Sequence, residues 1–102
     1  MTIKLKKLKT PVIFNICRPY DYQGLDIPVQ SSKGLEFFGS KFYLHGKAPE
    51  WTLSEYSTGA SVAKGHTQKR MLERFAANMP ATAKEFQALL KRHIELYGQL
   101  NE

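Results

Sequence analysis

Cys17, His45, His66 and His93 are the side chains of this sequence best suited to nucleophile or proton-transfer chemistry, and none stands in a pattern that performs it. A thiol nucleophile needs a base within hydrogen-bond reach. Nothing near Cys17 supplies one, so His45 or His66 would have to arrive from a separate element. The histidines have no second ligand at metal-binding spacing. The chain carries no Walker loop, dinucleotide fingerprint or nucleophile elbow, and its carboxylates are scattered singly. A buried structural thiol fits Cys17 better than a catalytic one. His93, seven residues after Phe86 on an apolar helix face, reads as a packed histidine or as a sign that this face meets a partner. The expectation is a non-enzymatic protein without a cofactor.

Binding chemistry is better represented. Lys64-Gly65-His66-Thr67-Gln68-Lys69-Arg70 places a glycine, a hydroxyl and several cations where a helix begins. Free N–H groups at a helix start point outward, and the helix dipole favours an anion there. Arg74 lies one turn beyond Arg70. With Lys4, Lys6, Lys7 and Lys9, these cations can track a phosphate backbone. The competing reading is a capped helix with a solvated outer face. Tyr20 and Tyr22 form a second candidate contact, in a connection from Arg18 to Gly34 rich in Pro, Gly and Ser. Here the alternative is a short edge strand at Ile27-Pro28-Val29, with the tyrosines covering the core. The candidate binding residues are therefore Lys64, His66, Lys69, Arg70, Arg74, Tyr20 and Tyr22.

Charge supports a partner of opposite sign. The chain has 102 residues and a formal net charge of +6. Its first twenty residues hold Lys4, Lys6, Lys7, Lys9 and Arg18 and no acid, the middle is mildly acidic, and the last forty are basic again. Such a distribution draws the protein toward polyanions or an acidic protein surface; a merely solubilising surface is the alternative. No run of apolar residues is long enough to span a membrane. No secretory signal is read at the N-terminus, because Pro11 to Cys17 is too short and Asn15 interrupts it. A single cysteine suits a reducing compartment. A cytoplasmic location is expected.

These residues need elements to position them. Thr2 to Leu8 alternates apolar and cationic side chains, as a half-buried strand does. Val12 to Cys17 is a β-branched run and a second strand candidate after Thr10-Pro11. Leu35 to Phe38, Lys41 to His45 and Trp51 to Tyr56 follow, with Gly39 as a tight turn or bulge and Gly46 to Glu50 as a hairpin loop. The alternation predicts Trp51 and Leu53 inward, Thr52 and Ser54 outward. Ser61 to Lys64 can return as a short strand. The period then changes. Thr67 reads as an N-cap, with Met71, Leu72, Phe75 and Met79 on one helical face. Thr82 with Glu85 reads as a capping box for a second helix. Its apolar face is Phe86, Leu89, Leu90, Ile94, Tyr97 and Leu100. The fold expected is α+β: one domain over residues 1–102, with a small antiparallel sheet of about four to five strands against two C-terminal helices.

Two resemblances add to this reading. Gly65 to Arg70, with Ala76-Ala77, is similar to the end of double-stranded-RNA-binding domains, where Gly-x-Ser-Lys-Lys-x-Ala-Lys opens a phosphate-clasping helix. Gln68, Met71 and Leu72 depart from that motif, and the upstream half reads as strands where that family begins with a helix. Phe42 to His45, then Trp51 to Thr67 and a helix, resembles small accessory proteins of bacteriophages and other mobile elements. In those, a strand with Trp-x-Val-Ser leads to a Thr-Gly turn, a short strand ending in Ala-x-Gly-x-Thr, and a helix. The resemblance implies a protein that occupies a host protein or nucleoprotein complex, including inhibitors of CRISPR and other defence systems. Direct binding of DNA or RNA by the basic helix face is the alternative function. No membrane partner is expected.

Overall fold

A computed structural model describes residues 3–16 and 27–101. The order of elements is β1 (Lys6–Ile16), β2 (Ile27–Phe37), β3 (Ser40–Lys47), β4 (Glu50–Glu55), β5 (Ser61–Gly65), α1 (Gln68–Asn78) and α2 (Ala83–Tyr97). The strands form one sheet in chain order, each antiparallel to the next. The structure shows the expected α+β fold, with five strands followed by two helices.

The first strand is one continuous element, where the sequence suggested two. Thr10-Pro11 falls inside a register shift between Lys7 and Val12. β1 is an edge strand, so proline's missing N–H costs no ladder bond there. The connection expected up to Gly34 is also shorter than the sequence implied. Residues 27–37 form an interior strand paired with both β1 and β3. Gly34 is a strand residue directly opposite Tyr43. A Cβ at Gly34 would lie 2.6 Å from Tyr43 Cδ1. The glycine is needed so that the tyrosine ring can lie across the strand.

The hairpins are tight. Phe38 and Gly39 join β2 to β3 with φ of 51° and 80°. A phenylalanine in the left-handed region is unusual. It is held by packing: its ring meets Phe37 and Phe86, and Gln87 Nε2 donates to its carbonyl at 2.6 Å. The next turn is just Ala48 and a cis Pro49, because the strands extend to the pair Lys47 and Glu50.

Both faces of the sheet carry buried apolar side chains. On one, Leu35, Phe42, Leu44, Leu53 and Ala63 meet Met71 and Phe75 of α1 and Phe86 of α2. Phe75 stacks edge-on against Phe42 at 5.0 Å. On the other, the buried ring of Phe14 lies 5.5 Å from Tyr43, 5.9 Å from His45 and 6.1 Å from Tyr56. Ser54, expected to face outward, is 1% exposed for that reason. Period-two alternation identifies two faces of a strand but not which of them is wet.

The turn between β4 and β5 is built around the buried Glu55. Its carboxylate accepts from the Ser57 N–H at 2.6 Å, the Thr58 N–H at 3.1 Å and the Ser57 hydroxyl. Among the described residues no cation lies within salt-bridge distance of it. Three donors therefore replace the water lost on burial. Beyond α2, Asn101 closes the fold. Its Oδ1 accepts from the Asn15 N–H at 2.8 Å, and its Nδ2 donates to the carbonyls of Asn15 at 2.8 Å and Tyr56 at 2.7 Å. One side-chain amide thus satisfies both backbone groups of an edge-strand residue, much as a neighbouring strand would.

Candidate functional site

Lys64, His66 and Arg74 of the candidate set come together where β5 meets α1. The two elements touch at Gly65, where a Cβ would come within 2.5 Å of the Met71 nitrogen. This contact fixes the start of α1 against the sheet. Thr67 caps the helix as expected: its hydroxyl accepts from the Arg70 N–H at 3.0 Å, and its carbonyl accepts from Met71 at 3.0 Å.

The structure divides the expected set. Lys64, His66 and Arg74 line one shallow groove together with Glu50 and Thr52. Arg74 Nη1 donates to the Lys64 carbonyl at 3.1 Å, so this arginine also ties α1 to β5. Lys69 points to a different groove, shared with Lys4 and Lys33. Arg70 joins neither and lies 3.8 Å from Glu73 on its own helix, with both side chains mostly exposed. Of the N-terminal lysines, Lys4 lines the Lys69 groove, and Lys4 and Lys6 share another with Lys41. Lys7 and Lys9 are exposed along β1. Tyr20, Tyr22 and Cys17 lie outside the described residues.

The groove of Lys4, Lys33 and Lys69 is assembled from three separate parts of the chain. Its floor is apolar, with Ile3, Leu5 and Leu72. Lys33 Nζ donates to Gln68 Oε1 at 3.2 Å, which fixes the β2 rim against the first turn of α1. Lys33 and Gln68 were not among the expected site residues. Lys33 sits in the segment that reads as a loop, and only the pairing of β2 across the sheet brings it to α1.

The chemistry of the described residues is sparse. His45 Nε2 and the Ser54 hydroxyl share a hydrogen bond of 2.8 Å. Ser54 is buried in the aromatic face, 1% exposed. Burial, and then the charge of Lys64, hold the His45 imidazolium below its ordinary pKa of 6.5. Among the described residues no three His, Cys, Asp or Glu side chains are placed to hold a metal ion. No described helix is long and apolar enough to cross a membrane.

Comparison with known proteins finds no match for this chain among protein families, curated proteins or solved structures.

Proposed function

We propose that the protein is a non-enzymatic binding protein that engages an acidic surface of a host macromolecular complex through the groove rimmed by Lys4, Lys33 and Lys69. One observation carries this reading. Three lysines from distant parts of the chain line a groove with an apolar floor, and Glu73, the acid in that lining, is paired with Arg70; Arg70–Glu73 is the only salt bridge among the described residues of a +6 chain. Cations left without an ion pair give a long-range field. An apolar centre inside a charged rim is the usual anatomy of a protein interface. The resemblance to phage accessory proteins supplies the setting, a host complex in the bacterial cytoplasm, with CRISPR or another defence machine as the target class.

Direct binding of nucleic acid is the second reading. It is favoured by the second cationic groove, where Lys64, His66 and Arg74 lie together beside the capped helix start.

Affinity capture from host lysate with wild-type protein and the triple variant Lys4→Ala, Lys33→Ala, Lys69→Ala separates the two, run beside titrations of labelled DNA and RNA at two salt concentrations. The first reading predicts a stoichiometric protein partner that the triple variant loses, and weak binding to free nucleic acid. Tight binding to free nucleic acid, with a salt slope that falls by about one for each phosphate contact removed, would move the conclusion to the second.

A further inference from the structure

We infer that the outer face of α2 is a self-complementary surface by which two copies of this chain pair antiparallel, helix against helix. The helix is anchored at its start and just beyond its end. Phe86 and Gln87 fix its first turns to the β2–β3 hairpin. Beyond its last turn, the Leu100 and Asn101 N–H groups donate to the Ser57 carbonyl, and the Asn101 side chain grips β1. What lies between is incompletely covered by the described residues. Leu89 is 60% exposed and Leu96 65% exposed, although both are large apolar side chains on a well-formed helix.

Position decides what can cover them. Glu85, Ala88, Leu89, Arg92 and Leu96 fall within an arc of about 100° on a helix of 3.6 residues per turn. The whole set is exposed. A second α2 laid antiparallel, with a twofold axis between residues 88 and 89, brings each Glu85 opposite Arg92 of the other copy. The same operation places Leu89 over Ala88 at the crossing and Leu96 over the exposed Ala81 in the turn before the helix. The small Ala88 lets the axes approach closely. Neither Glu85 nor Arg92 has an ion partner among the described residues. One twofold operation thus pairs two opposite charges twice and covers both leucines, which is what an isologous interface requires. The occupant that this pattern fits is the same helix from a second copy. The surface is separate from the lysine groove, so neither proposal depends on the other.

Equilibrium sedimentation of the full chain over a range of concentrations tests the pairing. Wild type is expected to show a monomer–dimer equilibrium that Leu89→Lys abolishes. Glu85→Arg or Arg92→Glu alone weakens pairing by about tenfold, because two attractions become two repulsions. The double variant carrying both reversals recovers the wild-type constant to within about threefold. These side chains are exposed, so circular dichroism should report an unchanged fold. Arg92→Glu, in the middle of the helix, keeps the test valid if Glu85→Arg frays the first turn. A monomer at all concentrations, a dimer indifferent to Leu89→Lys, or a double reversal that fails to recover would each overturn the inference.

Discussion

The two helices have similar sequence patterns and opposite fates. Both are amphipathic, and both begin at a threonine whose hydroxyl accepts from the third residue on. α1 sinks into the sheet, with Met71 and Phe75 fully buried. α2 buries only Phe86, while Leu90 and Ile94 are half-covered and Leu89, Leu96 and Tyr97 are exposed. The apolar face expected for the second helix was therefore too broad, since Leu89 and Tyr97 do not reach the core. Half-buried His93 instead sets its ring 4.9 Å from that of Tyr97. The difference comes from the sheet. α1 lies across β5 and β4, whereas the contacts of α2 among the described residues are with the β2–β3 hairpin, through Phe86 and Gln87. A helical stripe states that a face wants covering, and the topology decides how much of it this chain can cover.

The largest expected effect tests the better-packed helix. Phe75→Ala should cost about 3–5 kcal/mol, since a fully buried aromatic ring leaves a cavity. Thermal or denaturant unfolding would show it, and a loss near zero would mean that α1 is not part of the core. A smaller effect tests the anchoring of α2. Asn101→Ala removes a buried amide from three hydrogen bonds and should cost about 1–3 kcal/mol through the groups left unpaired. Hydrogen exchange should then quicken in α2 and at the Ile16 end of β1 while α1 stays protected; equal loss in both helices would erase the contrast between them.

The smallest effect lies on the face away from both helices. His45 is held below its ordinary pKa of 6.5, so the folded state binds its proton less readily than the unfolded chain does. The stability this lends is present above pH 6.5 and declines as pH falls below it, toward the lowered folded value. His45→Gln should flatten that part of the stability–pH profile and leave the rest unchanged. An identical acid limb in wild type and variant would show that His45 does not contribute to it.

What could be read in the sequence was local. Thr67 and Thr82 announce their helices because a cap bonds only three residues away. Gly39 marks a turn for a similar reason. The features that escaped are those whose cause lies elsewhere in the chain. Pro28, Ser31-Ser32 and Gly34 look like loop residues, yet each has a place in a strand. Ser31 is buried with its hydroxyl donating to the Lys33 carbonyl at 2.7 Å, and Gly34 makes room for Tyr43. Lys33 could not be assigned to the groove until β2 was known to be a strand. Lys64, Lys69 and Arg70 were recognised as exposed cations, but their division between two grooves and an intrahelical pair depends on side-chain direction.

Because the strands pair in chain order, nearly every contact of the sheet can form between neighbours as a growing hairpin. Such local pairing favours rapid assembly. The clasp between Asn15 and Asn101 reaches furthest of the described hydrogen bonds, joining residues 86 positions apart. Its loop-closure cost is met only when the sheet and both helices already hold the ends near one another. On a ribosome, the edge strand must therefore wait, without its outer partner, until almost all of this sequence has been synthesised.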